Sequence, residues 1–330
     1  MNKLFKIVLS LCFMMTLLVG CGGNSSDKVV IYSNADEEAQ NSIKKALDDN
    51  GYKDQYILQT FGTSELGGKI IAEGKNIEAD LITMSSYYID SAQEQNKMFV
   101  DLTFDRAPLN KNTPSYSSPV ISIEGTIILN TKMMEEKGLT KPTSIKDLAK
   151  SEYNGYVSIV DMAGSSTGWL LVQALITTYG EEEAQTILTG IMKNAGPHLE
   201  SSGSGPIKKA RAGEVAIAFG LRHQAVADKE KGLPIDFVDP SEGNYALTES
   251  VAVVDKDGEK TKKAMEMADC IVNKARAGII ENYPIPLYEG ETTDSTKVSK
   301  NTLYYKDPLT VALLEKHLKM SETCKINAQK

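Results

Sequence analysis

Arginine, histidine, tryptophan and cysteine are all scarce in this 330-residue chain. Three histidines, at 198, 223 and 317, form no His-Glu-x-x-His pair and no spacing suited to a bound metal. A glycine-rich nucleotide loop is missing too, so neither catalysis nor a cofactor is expected. Basic tracts are absent. The 36 Lys and Arg are outnumbered by 44 Asp and Glu, for a net charge of −8, which argues against nucleic acid as a partner. Of four cysteines, Cys12 and Cys21 lie at the N-terminus and only Cys270 and Cys324 remain. Two cysteines do not build a disulfide framework in a chain this long, and whether they pair or stay thiols is left open. Beyond residue 20 there is no long apolar run, no repeat and no low-complexity tract.

What is present begins with a leader. Lys3 and Lys6 precede an apolar run over 7–19, and Gly20-Cys21 follows. A basic start, a short apolar segment and a small residue before the cut describe a secretory signal. The run is shorter than the ~20 residues a membrane-spanning helix takes. Leu18-Val19-Gly20-Cys21 also resembles the bacterial lipobox, in which the cysteine is lipidated and becomes the new N-terminus. Residues 1–20 are therefore expected to be a lipoprotein signal peptide, with Cys21 lipidated and 21–27 a polar tether. Losing Lys3 and Lys6 with the leader moves the net charge to −10. The expected location is the extracytoplasmic face of the membrane, held by the lipid anchor.

From residue 28 onward, β-rich runs alternate with helical ones. Strands are expected at 28–32, 56–61 and 80–84, with helices between them, and a long extended segment at 121–130. A second α/β run follows, with strands near 156–161, 199–201, 215–219 and 235–238. A return segment at 250–254 leads into helices at 261–277 and 308–318. This pattern predicts an α/β protein with parallel sheets flanked by helices. Two crossings divide it into a first lobe, 28–122 plus 252–330, and a second lobe, 123–251. Ligands on open α/β sheets sit beyond the carboxyl ends of the strands, and two lobes facing each other make a closing cleft.

The segments after the strands are rich in glycine and hydroxyls: Ser33-Asn34, Thr63-Ser64, Ser85, Ser165-Ser166-Thr167, and Ser202 and Ser204 around Gly203. Several open helices, whose first N–H groups lack intrahelical partners and carry partial positive charge. Such chemistry, repeated across one cleft, suits a tetrahedral oxyanion. The same residues also cap helices everywhere, so Ser165–Thr167 and Ser202–Ser204 carry most of the weight. Arg222 and His223 form an adjacent pair after an apolar strand and Gly220. They are expected at the cleft edge, with Arg222 gripping the anion. Trp169, the sole tryptophan, suits either a cleft wall or the core.

Five segments then carry a family resemblance: Val29-Val30-Ile31-Tyr32-Ser33, Ala79-Asp80-Leu81-Ile82, Gly164-Ser165-Ser166-Thr167-Gly168, Gly213-Glu214-Val215-Ala216-Ile217-Ala218 and Asp239-Pro240-Ser241-Glu242-Gly243. The mature chain resembles the type II periplasmic binding proteins of ABC importers. The subgroup includes ferric-iron, thiamine, sugar-phosphate and 2-aminoethylphosphonate binders. The resemblance implies a two-lobed α/β fold, each lobe a mainly parallel sheet flanked by helices, with two hinge crossovers. It also implies a monomer that works with ABC permease and ATPase subunits. The subgroup's ferric binders place two adjacent tyrosines after the Gly-Glu strand, where this chain has Leu221-Arg222-His223-Gln224. The departure favours a small anionic ligand: a phosphorus oxyanion compound, 2-aminoethylphosphonate first, then a sugar phosphate or other phosphate ester. Ferric iron, a polyamine, and a sensor or adhesin role remain as alternatives.

Overall fold

The computed structural model describes residues 27–256, 258–305 and 308–330. The leader, Cys21 and the tether up to residue 26 lie outside them. The first lobe opens with β1 (Val29–Ser33), α1 (Glu37–Leu47), β2 (Tyr56–Thr60), α2 (Thr63–Glu73), β3 (Leu81–Ser85) and α3 (Ser86–Asn96). The long strand β4 (Ser117–Asn130) leads into α4 (Thr131–Lys137), β5 (Val157–Val160), α5 (Ser166–Tyr179), α6 (Glu181–Ala195) and β6 (Leu199–Glu200). Then come α7 (Gly205–Ala212), β7 (Ile217–Leu221), α8 (Arg222–Glu230) and β8 (Ile235–Val238). The return strand β9 (Asn244–Val253) precedes α9 (Glu259–Cys270), α10 (Arg276–Asn282), β10 (Thr302–Leu303) and α11 (Val311–Ala328).

Strand order is β2-β1-β3-β9-β4-β7-β5-β6, with β8 beside β4 and β10 beside β9. β2, β1 and β3 run parallel, as do β7, β5 and β6. β1, β3, β5 and β7 are buried along their whole length, the continuous apolar strands a helix-covered parallel sheet demands. Between these sheets, β4 and β9 pair antiparallel from Ser117↔Ala252 to Glu124↔Ala246, with a shift of register between Pro119 and Ile121. β9 also pairs with β3, and β4 with β7 and β8, so the two long strands tie one lobe to the other. These are the two hinge crossovers, each longer than its sequence pattern suggested. The run over 121–130 starts four residues earlier, and that over 250–254 starts at Asn244.

α1 shows how a helix is placed at the cleft. Asp36 caps it by accepting a hydrogen bond from the Ala39 N–H (3.3 Å). Glu37 and Glu38 fill the first turn, Lys44 and Lys45 the last, each matched to its end of the helix dipole. Ala39, Ile43, Ala46 and Leu47 turn inward.

The last helix touches both lobes. α11 follows first-lobe segments and packs mainly on α6 of the second lobe, with further contacts to α5 and to α3 of the first lobe. Its buried positions Leu314, His317, Ser321 and Cys324 recur every three or four residues as one stripe. His317 Nδ1 accepts from Trp169 Nε1 (3.0 Å), and Lys325 pairs with Asp161 (2.6 Å). Trp169 is fully buried there, edge-on to Tyr87 at 5.0 Å. Cys270 on α9 and Cys324 on α11 are free, buried thiols.

Candidate functional site

The carboxyl ends of strands from both lobes converge on a cavity of about 480 Å³. On the second-lobe side, β5 ends before Gly164, and Ser165 caps α5 by accepting from the Thr167 N–H (3.4 Å). The 14-residue helix behind it aims its N-terminus at the cavity. The loop Ser202-Gly203-Ser204 lies against this turn. A Cβ placed on Gly203 would stand 2.5 Å from Thr167 Oγ1 and 3.4 Å from Ser165 Oγ, and one on Gly164 would stand 2.4 Å from the Ser201 carbonyl oxygen. Only glycines let the two loops come this close. Gln224 adds an amide whose Nε2 donates to Ser204 Oγ (2.8 Å), leaving its buried Oε1 without a partner among the described residues. Two basic residues line this side. Lys208 is exposed, and Arg211 is engaged in a two-pronged bond to Asp228 (2.5 and 2.9 Å).

The first-lobe side is acidic. Asp36, Glu37, Glu38 and Glu249 line it with Asn34, Thr63, Phe61 and Tyr283. Asn34 Nδ2 donates to Thr63 Oγ1 (2.9 Å) and to Glu249 Oε1 (3.1 Å), while its Oδ1 is buried without a partner among the described residues. Burial and the nearby Asp36 charge push the Glu249 carboxyl up to about 8, against the bond from Asn34. Burial also works against ionised Asp36, but hydrogen bonds and charge from His223, with a bond from Tyr283, outweigh it and hold its pKa below the ordinary value. The same burial and the Asp36 charge raise the Tyr283 phenol far above its ordinary range.

Seven of the twelve expected ligand contacts meet at this cavity: Asn34, Thr63, Ser165, Ser166, Thr167, Ser202 and Ser204. The other five stand apart from its lining. Ser33 is fully buried, accepting from Thr83 Oγ1 (2.8 Å) and the Ala35 N–H (3.1 Å). Ser64 bonds with the Tyr88 hydroxyl, and Ser85 is fully buried at the end of β3. His223 turns to Asp36 (3.1 Å) and stacks near Tyr283 at 4.2 Å. Arg222 is placed furthest from its expected position. Its guanidinium grips Asp239 (2.8 and 3.2 Å), donates to the Lys297 carbonyl and lies over Phe237 at 4.9 Å. β7 runs into α8 with no intervening loop, so Arg222 is a helical residue, 4% exposed, rather than a free arm at the cleft edge.

Sequence reasoning missed Asp36, Glu37, Glu38, Glu249, Gln224 and Tyr283. The three acids after β1 were legible as a strand-end cluster, but the pattern reads equally as a helix start. Gly164-Ser165-Ser166-Thr167-Gly168 also has the spacing of a hydrolase nucleophile elbow, with Ser166 in the nucleophile position after a strand and opening a helix. Among the described residues no histidine lines the cavity with Ser166. Asp36, Glu38 and His223 bring ligand atoms within 4.8 Å of one another. Asp36 is already engaged, accepting from the Ala39 N–H and the Tyr283 hydroxyl and bonding with His223. A larger cavity of about 750 Å³ involves Thr248 and Ser250. Glu249, between them, lines the cleft, so strand alternation puts this second cavity on the opposite face of β9. Its lining includes Tyr87, Leu109, Leu287 and Tyr305 but none of the loops after β1, β2 or β5.

Residues 77–307 match the family of bacterial extracellular solute-binding proteins. The chain belongs to this family. It is thus a substrate-binding component of an ABC transporter, acts outside the cytoplasmic membrane and works with permease and ATPase subunits. An uncharacterised protein of Haemophilus influenzae is 24% identical over 253 residues, covering 73% of this chain and 72% of the relative. A periplasmic thiamin-binding protein superposes with a TM-score of 0.74 at 17% identity, over 90% of this chain and 96% of that one. The periplasmic binding protein P5PA gives 0.72 at 19% identity, over 92% and 98%. AfuA from Actinobacillus pleuropneumoniae, with fructose-6-phosphate bound, gives 0.68 at 20% identity, over 92% and 96%. At these identities the structures establish the two-lobed fold and leave the ligand to the cleft itself.

Proposed function

We propose that the cleft captures a small compound carrying a phosphorus oxyanion and delivers it to the transporter. The observation that carries this reading is the meeting of Ser165–Thr167 at the α5 N-terminus with Ser202–Ser204 across two glycines that admit no side chain. Helix-end N–H groups and hydroxyls around one point favour a tetrahedral anion. AfuA, similar in fold, was solved with a sugar phosphate bound. Closing the lobes, taken as 28–122 plus 252–310 and 123–251 with α11 on the second, desolvates the anion and strengthens these bonds. In this reading the protein is a monomer anchored through a lipid on Cys21. 2-Aminoethylphosphonate is the first compound to try and a sugar phosphate the next.

A polyamine is the second reading, favoured by the four carboxyls on the first-lobe side. A thermal-shift screen of phosphonates, phosphate esters, spermidine and Fe³⁺ separates them. A ligand at 100 times its Kd stabilises the fold by about 2.7 kcal/mol. A shift with phosphonates or phosphate esters supports the proposal; a shift with spermidine or Fe³⁺ alone overturns it.

A further inference from the structure

The two sides of the cleft ask for opposite charges. Among the described residues, the hydroxyl loops and the α5 N-terminus contribute no carboxylate to the cavity lining, whereas the first-lobe side contributes four carboxyls and neither lysine nor arginine. A ligand that is anionic throughout would bring its own charge against that wall. Two buried acceptors also face a shortage of donors. Among the described residues, Gln224, 3% exposed and lining the cavity, leaves Oε1 unpaired, and Asn34 leaves Oδ1 unpaired. Both call for N–H or O–H groups from an occupant. Glu249, 6% exposed, holds its proton to about 8, through burial first and the Asp36 charge second.

We propose that the ligand is a zwitterion whose primary ammonium lies against the Glu38, Asn34 and Glu249 wall while its oxyanion sits at Ser165–Thr167 and Ser202–Ser204. This rests on the oxyanion reading above and narrows it to aminoalkyl phosphonates and phosphate monoesters of amino alcohols. Three N–H donors of a primary ammonium answer a carboxylate, the Asn34 oxygen and Glu249 together. A trimethylammonium has the same charge and no N–H, so it leaves Asn34 Oδ1 buried and unpaired. The site therefore reads the hydrogens of the amine as well as its charge.

Calorimetric titration of the mature protein with 2-aminoethylphosphonate, phosphoethanolamine, ethylphosphonate, phosphocholine and ethanolamine tests this. The first two should bind at least about tenfold tighter than ethylphosphonate and phosphocholine, the equivalent of about 1.4 kcal/mol. Glu38→Gln, at a half-buried position, should shrink that preference, weakening 2-aminoethylphosphonate while ethylphosphonate binds no more weakly than to wild type. Ethylphosphonate binding as tightly as 2-aminoethylphosphonate overturns the ammonium subsite and leaves the oxyanion reading standing. Equal binding of phosphocholine overturns the claim that N–H donors are read. Binding of ethanolamine alone overturns the oxyanion reading and this inference together, and binding of none of the five overturns this inference while leaving sugar phosphates to the oxyanion reading.

Discussion

Gly203→Ala puts the anion cradle to a graded test. The added methyl would sit 2.5 Å from Thr167 Oγ1, where ordinary contacts begin at 3.4 Å, so one loop must yield by about 1 Å. Overpacking of this kind costs about 1–3 kcal/mol when nothing relaxes. Rotating Thr167 or parting the loops relieves it, and either response removes donors from the place where the oxyanion sits. Losing one charge-assisted hydrogen bond weakens binding by about 1.5–3 kcal/mol, roughly 10- to 150-fold in Kd. Calorimetry with 2-aminoethylphosphonate reads the affinity, and thermal melting of the apo protein reads the fold. Gly203→Ala combined with Thr167→Ala removes the clash, so it should restore the melting temperature without restoring affinity. If the single variant binds within threefold of wild type, the two loops do not form the anion site.

Arg222→Ala should lower stability by about 1–3 kcal/mol, because Asp239 in its part-buried site loses its charged partner and keeps only the bonds from Asn244 and Thr126. Ligand affinity should stay within threefold; an unchanged melting temperature with binding lost would show that Arg222 leaves Asp239 for the ligand. Glu249 is neutral in the fold up to about 8 but ionises near 4.5 when unfolded, so the native state loses stability as pH rises from about 4.5 to 8. Glu249→Gln should abolish that loss, melting above wild type at pH 8–9 with the difference vanishing near pH 4; a constant difference across this range refutes the assignment. Cys21→Ser should release the protein from membranes or leave it unprocessed, and wild-type fractionation and migration would contradict the lipid anchor.

The alternation of apolar strands and amphipathic helices was legible because strands such as β1 and β3 are buried end to end and carry unbroken apolar or hydroxyl runs. The crossovers were legible as extended segments, though not their full length, since Ser117-Ser118-Pro119 does not resemble a strand until β9 pairs with it. The α11 packing was hidden for a different reason. A stripe of Leu314, His317, Ser321 and Cys324 specifies an inward face, not the lobe that covers it. Half of the cleft followed from glycine and hydroxyl runs after the strands. The acidic half did not, because Asp36–Glu38 serve the α1 terminus as well as the cavity, and Glu249 sits inside a hinge strand, 213 positions beyond Asp36 in the chain. Scarcity marked Arg222 without naming its partner in the fold, Asp239, 17 positions on.

The central claim is that the cleft binds phosphorus at the second-lobe loops. The most direct measurement is a crystal structure of the mature protein with 2-aminoethylphosphonate. The account predicts phosphonate oxygens within hydrogen-bond reach of Ser165–Thr167 and Ser202–Ser204, and the ammonium toward Glu38 and Asn34. A phosphonate held elsewhere, or bound at the acidic wall with these hydroxyls empty, would contradict it.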